Sequence, residues 1–193
     1  MLLEYNYEKD YVNEETGFML RYIFSETEPF VEHWHDYYEI FLMLEGSTLH
    51  RVNGIQQMLT EGYLVFIRPG DVHDYKCKEK CRFLNLAFSK ETMNELISYF
   101  GSGFNAQRIL DSKYPPISVL TAGEKERMFK KFQKINTLEL NSNTKFRFYM
   151  RVFLAEIMAS YFSDTLYSLS EDIPHWLEIL CLKMNTKDNF TAG

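Results

Sequence analysis

Between residues 17 and 88, apolar and polar positions alternate in short runs broken by turn signals; from residue 89 onward, apolar residues recur every three or four positions. The first pattern predicts strands over 17–24, 37–44, 48–52, 55–59, 63–67 and 82–88, and the second predicts helices. Asn53-Gly54 lies between two strand runs, and both residues tolerate positive φ, so a tight hairpin is expected there. Glu61-Gly62 and Pro69-Gly70-Asp71 mark further reversals. Strands this close together have no room for the long crossovers of a parallel sheet, which favours a sandwich or barrel.

In the second half, Ser89 is placed to cap a helix reaching Phe100, which Gly101-Ser102-Gly103 ends. A loop with Pro115-Pro116 follows. Thr121 and Glu124 have capping-box spacing ahead of a helix with Met128, Phe132 and Ile135 on one face. Asn143 or Thr144 is expected to cap a last helix, where Phe146, Tyr149, Met150, Phe153, Leu154, Ile157, Met158 and Tyr161 form a wide apolar stripe. That stripe either packs on the sheet or faces a partner subunit, with Phe153 and Ile157 as its test positions. The whole is an α+β pattern.

Composition narrows the function. The 193 residues are 46% hydrophobic and 16% aromatic, which excludes intrinsic disorder, and no apolar run is long enough to span a membrane. The net charge of −6 argues against a chain that grips nucleic-acid phosphates by itself. A local excess of basic residues over 124–151 reads most simply as a solvated helix face. The three cysteines have no framework spacing; Cys77 and Cys81 are expected as ordinary thiols, and the cytoplasm as the compartment.

Only five histidines occur, and two of them bracket Trp34. If the segment runs as one strand, His33, His35, Tyr37, Glu39, Phe41 and Met43 share one face, while Trp34, Asp36, Tyr38, Ile40 and Leu42 take the other. A carboxylate among aromatics needs a metal, a hydrogen-bonded partner or a polar ligand. His73, following the Pro69-Gly70-Asp71 turn, could join the same cavity. Three imidazoles and a carboxylate suit Zn, Ni, Fe, Mn or Cu, without choosing among them. His50 and His175, lacking partners in the sequence, are expected to be surface or structural residues.

These residues resemble the cupin superfamily. His33-Trp-His35, Glu39 and Gly46 follow its first motif, although Thr27 stands where that motif begins with Gly. Gly62, Gly70 and His73 follow the second, with Pro69 one place late and Cys77 in the position of its Asn. Residues 33–73 further resemble the sensor domain of AraC/XylS-family transcription regulators, and residues 173–184, IPHWLEILCLKM, resemble the segment leading into that family's DNA-binding domain.

The resemblance implies a cupin-type β-barrel (double-stranded β-helix, or jelly roll) over 1–88. A helical, dimerising subdomain would occupy 89–170, and a linker starting the DNA-binding region 171–193, with the helix-turn-helix units missing. The implied function is non-enzymatic: a homodimeric, cytoplasmic sensor of a sugar effector, reaching DNA only through the missing C-terminal half. Likeness to chitobiose-responsive members makes a chitooligosaccharide the expected ligand. A divalent transition metal on His33, His35, Glu39 and His73, a metal-free sugar site on the same four with Tyr37 and Phe41, and a relict cluster satisfied internally all remain open. A metal-dependent cupin enzyme, an oxygenase or sugar isomerase, is the alternative function.

Overall fold

The computed structural model describes residues 4–6, 11–25, 31–77, 80–139 and 142–163. Strands β1 (Glu4–Asn6), β3 (His33–His35), β5 (Ser47–Val52), β6 (Ile55–Thr60) and β8 (His73–Cys77) form one sheet in the order β1-β3-β8-β5-β6. A second sheet has the order β10-β7-β4-β9-β2, from β2 (Phe18–Ser25), β4 (Tyr38–Glu45), β7 (Tyr63–Ile67), β9 (Cys81–Phe88) and β10 (Ile117–Val119). All pairings are antiparallel except that of β1 with β3. The sheets face each other across Phe41, Met43, Val52, Leu59, Tyr63, Val65, Ile67, Tyr75 and Phe83, forming a cupin-type barrel with an aromatic interior.

Alternation along the second sheet supplies a second apolar face. Phe18, Leu20, Ile40, Leu42, Leu64, Phe66, Leu84, Leu86 and Phe88 point away from the barrel and pack against helices α1 (Lys90–Phe100), α2 (Ala106–Leu110), α3 (Ala122–Glu139) and α4 (Asn143–Tyr161). The molecule is thus three layers: sheet, sheet, helices.

The turn and cap chemistry acts locally. Asn53 (φ 49°) and Gly54 (φ 81°) make the β5–β6 hairpin, closing Val52 against Ile55. The Ser89 hydroxyl accepts from Thr92 N at 3.0 Å, and the Thr121 and Glu124 side chains cap reciprocally ahead of α3. Ser142 caps α4, one position before the expected Asn143, its hydroxyl accepting from Lys145 N.

Four differences from the sequence reading matter. The segment around Trp34 is two strands: β3 ends at His35, the chain turns through Asp36-Tyr37, and β4 starts in the other sheet, so His35 and Glu39 belong to opposite walls. β10, inside the expected Pro115-Pro116 loop, completes the second sheet beside β7. Phe153 and Ile157 are core residues; the apolar side chains that α4 leaves exposed are Phe148, Tyr149 and Val152. Cys77 and Cys81 form a disulfide, because β8 and β9 bring their Cα atoms to 6.0 Å.

Lys130 pairs with Glu126, Lys131 with Glu156 and Arg151 with Glu95, as on a solvated face. No helix among the described residues is long and apolar enough to cross a membrane. The expected linker, with Pro174, His175 and Cys181, lies outside the described residues.

Gly62 makes a test of this frame. It holds φ +88° in the β6–β7 turn, and a Cβ there would stand 2.7 Å from the Leu120 carbonyl oxygen, whose residue anchors β10 by donating its N–H to Gly62 O. Gly62→Ala should cost on the order of 1–3 kcal/mol in urea denaturation. Gly54→Ala, with similar φ but open space around it, should cost less.

Candidate functional site

His73 is placed by a rigid turn. Asp71, nearly buried, accepts hydrogen bonds from Arg68 N and Nε, both at 2.9 Å, and from Asn53 Nδ2 at 2.8 Å. Arg68 reaches on to the carbonyl oxygens of Leu110 and Ser112, and Asn53 Oδ1 accepts from Val72 N at 2.9 Å. Two turns and the end of α2 are therefore tied together one residue before β8 begins. Gly70, at φ +85°, donates its N–H to His35 O at 2.8 Å, which fixes β3 to the same corner.

From that corner His73 enters the interior, fully surrounded. Its ring centroid lies 4.3 Å from that of His33, 5.2 Å from that of His35 and 6.0 Å from that of His50. His35, Glu39 and His73 each offer a ligand atom within 4.8 Å of the others, and all three are buried. His35 Nε2 stands 3.6 Å from Glu39 Oε2. His33 stays outside this group: half-exposed, it donates from Nδ1 to Val31 O at 2.8 Å and packs its ring on His73.

Of the other expected contacts, Tyr37 stacks on His35 at 4.1 Å and closes one end of the site, beside Val12 and Ala87. Phe41 lies deeper, with its ring edge-on to His50 at 5.1 Å.

Two residues that the sequence reading left outside the site belong here: His50, expected as a surface or structural residue, and Asn85. His50 is fully buried on the inward face of β5, beside Thr48. Its signal was present, since His50 is in phase with Thr48 and Val52 on a strand, but no motif marked it. Asn85, inward on β9, hydrogen-bonds Glu39 and sits level with Phe41 in the β4–β9 register. Its sequence signal was one polar residue at an inward position of an apolar strand.

Burial governs the charges. Desolvation, reinforced by neighbouring imidazoles, pushes His35 down to about 4, His50 down to about 3 and His73 well below the ordinary histidine value. Desolvation also pushes the Glu39 carboxyl up to about 7, against the lowering effect of Asn85. The Tyr37 and Tyr75 hydroxyls are held protonated by burial and by nearby Glu39. At neutral pH the three imidazoles are thus neutral, and Glu39 carries about half of its charge.

Several of its polar atoms have no hydrogen-bond partner among the described residues: His35 Nε2, His50 Nε2, both ring nitrogens of His73, Thr48 Oγ1 and Asn85 Oδ1. Such a set can take a small molecule through several hydrogen bonds, or a cation through lone pairs. Neutral imidazoles and a carboxylate are the donor set of a divalent transition metal, so the residues present fit one on His35, Glu39 and His73.

Residues 21–120 match the family model described as the AraC-like ligand binding domain. The HTH-type transcriptional activator RhaS of Mannheimia succiniciproducens is 26% identical over 155 residues, covering 78% of this chain and 57% of the relative. RhaS of Yersinia pestis is 33% identical over 86 residues, 45% of this chain and 31% of the relative. The chain therefore spans less than two thirds of the length of these curated relatives. Among solved structures, a lysine-to-alanine variant of apo ToxT from Vibrio cholerae aligns with a TM-score of 0.58 at 14% identity, covering 91% of this chain and 66% of that one. Wild-type ToxT bound to an unsaturated fatty acid aligns with a TM-score of 0.51 at 16% identity, covering 88% and 64%. At these identities the likeness is one of fold.

The shifted groups predict how stability varies with pH. Between about pH 4.5 and 6.5, His35, His50 and His73 bind protons when unfolded that they refuse when folded, so acidification favours unfolding. Glu39 acts in the opposite sense over the same range, because its folded carboxyl holds a proton that the unfolded one releases. Three groups outweigh one, and stability should fall on acidification by up to roughly 3 kcal/mol per pH unit. Melting should occur several degrees lower at about pH 5 than at about pH 6.5. A flat profile would show that the imidazoles are not desolvated.

Proposed function

The chain belongs to the AraC-like ligand binding domain family, and on that premise we propose that it is the effector-sensing and dimerising part of a sugar-responsive transcription regulator. One observation carries the reading: a buried row of polar atoms without partners among the described residues, inside an aromatic barrel, the mixture of apolar lining and few polar anchors that small-molecule sites use. The effector class we favour is a chitooligosaccharide or a related neutral sugar, whose hydroxyls would meet His35, Glu39, His73 and Asn85 while Tyr37 and Phe41 cover its apolar faces. His33, at the rim beside His73, would contact only the outermost part of it.

The curated relatives are named as transcriptional activators and not as enzymes, which supports a non-catalytic role over an oxygenase or isomerase. ToxT was solved with an unsaturated fatty acid. A fatty carboxylate suits this interior poorly, since it would face Glu39 and neutral imidazoles, and Arg68 is already engaged by Asp71. A divalent transition metal held by His35, Glu39 and His73 would supply a Lewis-acidic point for a sugar hydroxyl; the protein groups would orient the sugar with or without it.

The effector would act by favouring one arrangement of barrel and helices over another, by no more than its difference in affinity for the two. β4 offers the route. Glu39 and Phe41 face the ligand side, while Ile40 and Leu42 of the same strand pack on the helical layer. Movement of the strand would reach α4. Dimerisation is assigned to the outer side of that layer, where Tyr99, Phe148 and Val152 are more than half exposed. DNA contact, in this reading, belongs to helix-turn-helix units of the kind the relatives are named for.

Millimolar N,N′-diacetylchitobiose should raise the melting temperature by mass action, by about 2.7 kcal/mol of added stability at a hundred times Kd. The rise should vanish in Glu39→Gln, and no rise in the parent protein would remove this sugar from the proposal. Elemental analysis should find near-stoichiometric metal that a chelator strips; a metal-free protein with full sugar affinity would remove the metal. For the interface, Phe148→Glu should convert a dimer to a soluble monomer in sedimentation with an unchanged melt, whereas Phe153→Glu should unfold the chain, because Phe153 is in the core.

A further inference from the structure

His50 and His35 are fully buried on the two strands that flank β8, and their fixed partners give them opposite tautomers. Gln57 Nε2 lies 3.1 Å from His50 Nδ1. An amide nitrogen only donates, so Nδ1 accepts, and the single proton of the neutral ring resides on Nε2. His35 is the reverse. Its Nδ1 lies 2.8 Å from the Tyr37 carbonyl oxygen, which only accepts, so Nδ1 carries the proton and Nε2 turns a lone pair toward Glu39.

Both Nε2 atoms are buried without a partner among the described residues, and both rings meet His73 edge to face, at 86° and 89°. Thr48, two residues before His50 on the same inward face, adds an unpartnered hydroxyl. The site therefore has a donor side on β5 and a lone-pair side formed by β3 and β4.

We infer that His50 is the hydrogen-bond donor of the interior site, giving its Nε2 proton to an acceptor oxygen of a neutral, oxygen-rich effector whose hydroxyl, or a bound divalent cation, is held by His35 and Glu39. This rests on the reading of the barrel interior as the effector pocket. It selects among ligands: a molecule with a carbonyl or ether oxygen a few ångströms from a hydroxyl satisfies both sides, and an acetamido sugar is of that class. A ligand made only of donors would leave the His50 proton unpaired. Burial, which keeps both rings neutral at physiological pH, maintains the division.

The test uses the full chain with histidine labelled by nitrogen-15, because long-range proton–nitrogen spectra read each tautomer directly. His50 should be the Nε2–H form and His35 the Nδ1–H form before any addition. Zinc ion alone should displace the His35 and His73 resonances and leave the His50 proton in place. N,N′-diacetylchitobiose should displace His50. His50→Leu should weaken that sugar about tenfold, while His50→Gln, which keeps a donor, should recover part of the loss.

A His50 found as Nδ1–H, a His50 that loses its proton to zinc as a ligand would, or a sugar that raises the melting temperature without moving His50 would each overturn the inference. A sugar with no effect on the melt would refute the chitooligosaccharide assignment instead, and the tautomers and zinc response would still decide the role of His50.

Discussion

Desolvating four neighbouring polar side chains inside an aromatic barrel is the constraint from which the rest of this structure follows. His35, His50, His73 and Glu39 can be enclosed only if they give up most of their charge, and burial pushes each toward its neutral form. Once neutral, they have few partners among the described residues, and the hydrogen-bonding capacity left over is what the proposed effector site would use. A core of the same shape built from leucine and valine would be more stable and would bind nothing polar.

That cost has to be met by the surrounding frame. The Arg68–Asp71–Asn53 network fixes the corner where His73 enters, and Gly70 ties that corner to β3, so the strands that carry His35 and His73 meet at a fixed position. The second sheet is apolar on its outer face, which carries the helical layer, while its inner face sets Glu39 and Asn85 among apolar residues. One strand, β4, therefore belongs at once to the site and to the packing of the helices. The proposed sensing site and the proposed dimer face are thus linked through that strand and the helix packed on it.

Much of this frame was legible locally. Asn53-Gly54, Ser89 and the Thr121/Glu124 pair each specify a turn or cap within four residues, and each acts that way in the fold. The alternation that separates Glu39 and Phe41 from Ile40 and Leu42 was equally readable, because the two faces of a strand follow from backbone geometry alone. The family resemblance carried by residues 33–73 falls within the 21–120 family match.

What the sequence alone determined was the set of periodicities, turns and caps, and the presence of imidazoles and a carboxyl in strand phase, since these depend on neighbours a few residues away. Only the tertiary structure decided that the chain changes sheets at Asp36-Tyr37 and that β10 returns to the barrel edge. It also decided that His50 and Asn85 enter the site while His33 remains at its rim, and that α4 buries Phe153 and exposes Phe148. Each of these is a choice of partner across tens of residues, made by which surfaces exclude water together, and no local pattern encodes it.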